Sequence, residues 1–338
     1  MARRDHSDLT LAVIHFQTPE LLERCLESLR SAAPRGRIIV VDTGEQEPLP
    51  DEWAPSHPGV ELLREANHSY SAAVNAALRR CRTVRFAQMN ADVVVRPETF
   101  DDLAAALEAS GAAMAGPLAR DGRGRLQRNG LPYRWHQWRA HKSGGWHYAP
   151  WLSGCLQYLR CNAVERVGGM DTTLRFYNED MEWCLRLRSV GERCALVDSE
   201  IVHLGGSSTS ASSLPLIEGL RGGYLLSRRY RGPFVRGLHR WAVMALAAVL
   251  AVAARLPEQR LAYRQVALML WRRDVDESPF GATLGSQNSH FLQGAMLSKA
   301  TLPETTLREP KLPETKRPGV SFQESSLQES SMHDGAAK

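Results

Sequence analysis

An α/β fold built on a doubly wound, mostly parallel sheet is what this sequence predicts, and three observations carry the prediction. Aliphatic and β-branched runs recur through the first 120 residues. They are separated by segments of about 10–15 residues with helical apolar spacing, the pattern of βαβ units. Two carboxylates, Asp42 and Asp92, fall at or just beyond strand ends, where a parallel sheet receives its ligand.

The elements follow in order. Leu9–His15 is a β-rich run. Thr18 and Pro19 then offer an N-cap and a first helical residue, and Leu21, Leu22, Cys25, Leu26 and Leu29 mark one helical face. Arg37–Asp42 is a continuous apolar strand ending on Asp42, and Val60–Leu63 a short one. Ser69–Leu78 is an alanine-rich helix, Val84–Met89 a strand, Pro97–Ala109 a helix with Pro97 in its first turn, and Ala112–Leu118 a strand. Residues 120–150 break the alternation with DGRGRLQRNG and an aromatic-dense stretch. Strands return at Gly154–Arg160, Cys194–Val197 and Ile201–His203, with a helix at Asn178–Ser189. Beyond the polar segment 207–213 the spacing is helical to about Arg273. From 278 onward LPET and QESS each occur twice among few aromatics, which reads as a tail that does not fold. The expected organisation is therefore a domain over 1–212, a helical region over 213–277 and a tail over 278–338.

Composition narrows the class. In 338 residues, 43% hydrophobic and 23% charged content excludes a wholly disordered chain, a collagen-like fibre and a coiled coil. The net charge of +5 is unevenly spread. Residues 1–220 carry 25 Lys and Arg against 27 Asp and Glu, residues 221–273 carry 11 against 1, and residues 274–338 carry 6 against 9. Six scattered cysteines form no C-x-x-C pair, so reduced, buried thiols are expected. The opening MARRDHSDLT has no apolar stretch behind its arginines, which leads us to expect a cytoplasmic protein. Trp241–Ala254 is an uncharged apolar run, shorter than the roughly 20 residues of a spanning helix, and suits a buried or interfacial helix.

Four places could carry chemistry. Asp92, in Gln88-Met-Asn-Ala-Asp92, follows an apolar strand and is either a turn residue or a ligand for a hard cation. Asp42 is either an Asx-turn residue or an acceptor for a nucleobase or ribose hydroxyl. Glu179, Asp180 and Glu182 open a helix, where they either suit its dipole or include a general base of raised pKa. His203, at a strand end before a glycine pair, is either structural or a ligand.

Taken in order, Asp42-Thr-Gly44, Asn90-Ala-Asp92, Gly168-Gly-Met-Asp through Asn178-Glu-Asp180, and Val202-His-Leu-Gly-Gly-Ser-Ser resemble the family-2 glycosyltransferases of the GT-A fold. The likeness is to their rhamnosyltransferase-like bacterial branch and covers about residues 9–210. Asn67 through Asn75 resembles the family's N-x-G-[FY]…N stretch. The resemblance implies a mixed, mostly parallel nucleotide-diphospho-sugar transferase sheet and an inverting sugar transfer from a nucleoside diphosphate sugar. It implies that Asp42 contacts the base in a pocket lined by His15 and Phe16, with Asn67, Asn75 and Asn90 on the nucleotide side. Asp92 would hold a divalent cation, Mn²⁺ or Mg²⁺, with His203 near the same diphosphate or metal. Asp180 would deprotonate the acceptor hydroxyl, with Glu179 supporting it. The sequence departs from the family pattern at Glu45, Ser69 and His15-Phe-Gln17.

Trp135, Trp138, Trp146 and Trp151 fall within one short stretch with Tyr133 and Tyr148. They form either an acceptor platform that stacks on sugar rings or an apolar cluster anchoring a long hairpin. The arginines of 221–273 suit an anionic membrane surface, with solvated arginines around a structural helix pair as the alternative; no nucleic-acid module accompanies them. The expected acceptor is a glycan or lipid-linked polysaccharide precursor, and the donor dTDP-rhamnose. The alternatives are a non-catalytic sugar-nucleotide-binding or scaffold relative, and a sugar nucleotidyltransferase. The latter needs a glycine-rich phosphate loop after the first strand, which His15-Phe-Gln-Thr-Pro lacks.

Overall fold

The computed structural model describes residues 4–44, 47–127, 131–205 and 213–281. All belong to one compact unit, Met1–Ala300; the second unit, Thr301–Lys338, lies outside the described residues. So do the polar segment short of Ser213 and the tail beyond Gly281.

Nine strands form one mixed sheet among the described residues: β1 (Leu9–His15), β2 (Arg37–Asp42), β3 (Val60–Arg64), β4 (Arg85–Asn90), β5 (Val93–Val94), β6 (Met114–Arg120), β7 (Trp146–Ala149), β8 (Leu156–Arg160) and β9 (Cys194–His203). Their order is β3-β2-β1-β4-β8-β6-β9-β5, with β7 also pairing β9. Six strands run one way; β5, β7 and β8 oppose them. The helices are α1 (Pro19–Ala32), α2 (Trp53–Ser56), α3 (Tyr70–Arg80), α4 (Thr99–Ser110), α5 (Leu131–Ser143), α6 (Cys161–Val167), α7 (Glu179–Ser189), α8 (Leu214–Tyr230), α9 (Pro233–Ala253) and α10 (Pro257–Arg272).

The alternation of β1 and β2 explains the two-layered core. Leu9, Leu11, Val13, Ile38 and Val40 pack with Leu22, Leu26 and Leu29 of α1 and Phe100 and Leu103 of α4. Ala12, Ile14, Ile39 and Val41 face the other way, into Val74 and Leu78 of α3 and Trp183 and Leu187 of α7. Strands buried on both faces read as unbroken apolar runs. All six cysteines are buried and free.

Some details differ from expectation. The Thr18 side chain makes no cap; its backbone N–H donates to His15 Nε2 instead. Pro97 precedes the helix it was expected to open, because α4 begins at Thr99 after Glu98. The aromatic stretch is no hairpin: it forms α5 and then β7. The two strands expected near residues 194 and 201 are one strand, whose register on β6 shifts between Gly116 and Leu118. That irregularity absorbs the polar Asp198–Glu200 stretch without ending the strand. The apolar run from Trp241 is the second half of a 21-residue helix, α9.

Helices α8, α9 and α10 build a third core around Leu225, Ala247, Val266 and Leu270, which includes Leu174 and reaches Met181 and Leu185. Glu218 and Arg221 of α8 form a fully buried ion pair. Arg221 also donates to the carbonyls of Thr173 and Val275, and Glu218 accepts from Arg175 N–H and the Ser278 hydroxyl.

Candidate active site

A cavity of about 1020 Å³ opens where β1 and β4 end side by side. The chain leaves β1 toward β2 on one flank and returns to β4 on the other, so this crevice is the switch point of the sheet. Phe16, Asn67, Asn90, Asp92, Trp151, Glu179, Asp180 and His203 all line it.

One corner is made by strand pairing. β5 runs antiparallel to β9 with Val93 opposite His203, which sets Asp92 beside His203. Asp92 Oδ2 accepts from Gly205 N–H at 3.0 Å, while Oδ1 is buried without a hydrogen-bond partner and lies 3.3 Å from His203 Nε2. Gln127 fixes which imidazole nitrogen faces that oxygen. Its Nε2 donates to the His203 carbonyl at 2.8 Å, so its Oε1 faces His203 Nδ1, also at 2.8 Å. An amide oxygen only accepts, so Nδ1 carries the proton and a neutral ring presents its Nε2 lone pair. That lone pair faces Asn90 Nδ2 at 3.2 Å and the orphaned Asp92 Oδ1.

Two electron pairs converging in this way fit a divalent cation. Ligands about 2.1 Å from one octahedral ion, at right angles, stand about 3 Å apart. Among the described residues no three His, Cys, Asp or Glu side chains group as a metal cage. A cation held by Asp92 and His203 would have to complete its coordination from a bound ligand and water.

The opposite corner is acidic. Asp180 Oδ2 accepts from Gly154 N–H at 2.8 Å and Oδ1 from Met181 N–H at 2.7 Å. Gly154 is needed here, since a Cβ would lie 3.1 Å from that of Asp180. Its carbonyl is held by Gln88 Nε2 at 2.9 Å and by the Tyr70 hydroxyl. Burial raises the pKa of both carboxyls. For Asp180 the backbone donors oppose that rise. For Glu179 the neighbouring Asp180 charge adds to it, taking its pKa up to about 8. The backbone donors on Asp180 favour its ionised form over that of Glu179.

Other expected site residues lie elsewhere. His15 and Asp42 do not line the cavity; they brace its back wall. Nδ1 of His15 donates to Asp42 Oδ1 at 3.0 Å, and the Asp42 oxygens also accept from Gly44 and Leu49 N–H. Burial would raise the Asp42 pKa, but these donors outweigh it and hold the carboxyl below its ordinary range. Both Asp42 oxygens accept hydrogen bonds within the protein, and Phe16 and Thr43 are the neighbours that reach the cavity. Asn75 is likewise consumed, exchanging hydrogen bonds of 2.8 Å with the N–H and carbonyl of Met170. Trp135 and Trp138 are about half exposed on α5 and away from the cavity, and Trp146 stacks edge-on with Tyr148 against the core. Trp151 alone of the four joins the site.

Gln127, Tyr70, Gly154 and Arg175 were missed. The alternation Gln88, Asn90 along β4 was the available clue, because two amides on one face of a core strand need partners there.

Comparison with known proteins settles the family. A family model for glycosyl transferase family 2 matches residues 10–181, half of the chain and every element from β1 to the start of α7. The chain belongs to this family. As a family 2 glycosyltransferase it has the GT-A fold and acts as a glycosyltransferase. Its structure is similar to that of the mannosyltransferase PcManGT from Pyrobaculum calidifontis in complex with GDP-Man and Mn²⁺, at 18% identity and a TM-score of 0.53 over 86% of each chain. It is similar to GalNAc-T7 with UDP, GalNAc and Mn²⁺, at 15% identity and 0.55 over 80% of this chain. It also resembles TarS of S. aureus, at 11% identity and 0.51 over 85% of this chain. The chain spans 55% of the length of each of the last two. No curated protein matches it.

Proposed function

We propose that this family 2 glycosyltransferase moves L-rhamnose, with inversion, from dTDP-rhamnose to a hydroxyl of a glycan or lipid-linked polysaccharide precursor. It would work in the cytoplasm with Mn²⁺ or Mg²⁺. The observation that carries the transfer is the meeting, in one cavity, of the converging Asp92 and His203 ligand atoms with the buried Glu179–Asp180 carboxyl pair. The rhamnose reading rests on the motif likeness to the rhamnosyltransferase-like branch, and Mn²⁺ accompanies two structural neighbours.

Asp180 acts as the base. Burial makes its carboxylate more basic, and the Gly154 and Met181 donors keep it aimed. It takes the proton of the acceptor hydroxyl as that oxygen bonds to the anomeric carbon. The bond from that carbon to the diphosphate breaks on the far face, and the nucleoside diphosphate leaves with the electron pair. A bound divalent ion supplies charge neutralisation on that leaving group, held by Asp92 and His203. Arg175, on the cavity wall, adds positive charge to the site, its guanidinium donating to the Asn67 carbonyl. Glu179, protonated, spares the base a second negative neighbour.

Asp180→Asn is expected to lower transfer by about 10³-fold or more while leaving donor-induced thermal stabilisation intact. Equal turnover in the variant removes Asp180 from the mechanism. A donor panel with Mn²⁺ identifies the nucleotide: stabilisation by thymidine compounds supports rhamnose, and stabilisation by uridine or guanosine compounds overturns it. Absence of any metal-dependent transfer or donor hydrolysis favours the scaffold alternative.

A further inference from the structure

Helix α9 leaves an apolar face bare. Phe234, Leu238, Trp241, Ala245, Val249 and Val252 follow 4-3-4-4-3 spacing and are all exposed, Phe234 to 82% and Val252 to 75%. On α10, Leu261, Leu268 and Trp271 are exposed at the same helical phase as Arg264. The two faces meet where the Trp241 and Trp271 rings pack edge to face at 6.4 Å.

The surrounding charge says what covers this face. Three of the eleven arginines counted in this segment are spent on carboxylates: Arg221 pairs with Glu218, Arg228 with Asp276 and Arg229 with Asp171. Those remaining on and around α10 face a hairpin whose single carboxylate is Glu258. A second copy docking through the same face would set arginine against arginine, since a two-fold contact is self-complementary. An anionic lipid surface matches both parts, taking apolar side chains beneath its headgroups and arginines among them.

We propose that the α9–α10 hairpin docks the enzyme on an anionic lipid surface, lying in the interface and not crossing it. Helix α9 is long and apolar enough to cross by length and composition, with a mean hydropathy of 1.4 in its best window. Its uncharged part, however, begins at Trp241, after Arg236 and Arg240. Thirteen residues at 1.5 Å each give roughly 20 Å, short of a hydrocarbon core of about 30 Å. A docked hairpin also suits the lipid-linked acceptor proposed above, because α8, which packs on it, contributes Pro215 to the cavity wall.

The test uses the full chain and vesicles of phosphatidylcholine with and without phosphatidylglycerol. Sedimentation with the anionic vesicles alone, weakened by raised salt, is expected. Leu238→Glu with Val252→Glu should lower vesicle affinity at least tenfold, and Arg264→Gln with Arg272→Gln by roughly fivefold for each charge removed. All four side chains are exposed, so melting temperatures should stay within a few degrees of the parent. No sedimentation with anionic vesicles, or equal sedimentation of the apolar variant, overturns the proposal. A lipid-free dimer that Leu238→Glu dissociates assigns the face to self-association, and resistance to alkaline carbonate extraction assigns α9 to a bilayer span. No turnover is read, so failure here leaves the proposed transfer untouched.

Discussion

Gln127 decides which nitrogen of His203 faces Asp92, although it touches neither the acidic pair nor the nucleotide side of the cavity. It is held in turn by Gln137 of α5, whose side-chain amide donates to the Gln127 carbonyl. Gln127→Leu is therefore expected to weaken Mn²⁺ binding about 10- to 100-fold, read by electron paramagnetic resonance on the unliganded protein. Gln127→Glu, which keeps an acceptor for Nδ1–H, should retain most of the affinity. Glu179 makes a second prediction at this scale. Its folded pKa, about 8, lies above the ordinary carboxyl value, so the folded state binds the extra proton. That contribution to stability is full below about pH 4.5 and is lost as pH rises toward 8. Glu179→Gln should accordingly raise the melting temperature at pH 8 and change it little at pH 5; an equal shift at both values refutes the assignment.

At the level of elements, the entry to α7 holds two adjacent strained residues. Tyr177 and Asn178 both adopt left-handed backbone, with φ of 65° and 66°, immediately before the acidic pair. Asn178 is clasped by α8: its side chain donates to the Gly219 carbonyl, and a Cβ at Gly222 would stand 2.7 Å from its amide nitrogen. Gly222→Ala should push Asn178 aside and lower kcat by about tenfold, with little change in donor KM, as steady-state kinetics would show. Much of the rest was legible in the sequence. β1 and β2 are bounded to the residue because burial on both faces makes them unbroken apolar runs. The places of Asp92, Glu179, Asp180 and His203 on the cavity are legible because they lie at or just beyond strand ends or begin a helix. The placing of Asp42 and Asn75 behind the cavity wall is not legible, because their partners, His15 and Met170, lie 27 and 95 residues away and no local pattern records who accepts from whom. Helix α9 extends beyond the apolar run Trp241–Ala254, because Pro233 at its first turn opens it eight residues earlier.

The whole molecule is tied together by one buried pair. Arg221 spends its guanidinium on Glu218, Thr173 and Val275, while Glu218 accepts from Arg175 and Ser278. Removing one partner leaves the other buried and uncompensated. Glu218→Ala should cost about 3–5 kcal/mol of stability in chemical denaturation and reduce turnover as well, because Arg175 N–H loses its acceptor. A chain cut near residue 213 is expected to lose both solubility and activity, since it would bare Leu174 and Met181 along with the acidic helix. The sharp change of charge at residue 221 suggests a detachable module, and the buried pair says otherwise. In evolutionary terms the helices and the chemistry are one heritable block. Any exchange of this appendage between relatives must bring segment 171–178 with it, or arrive with a partner for a charge that water cannot reach.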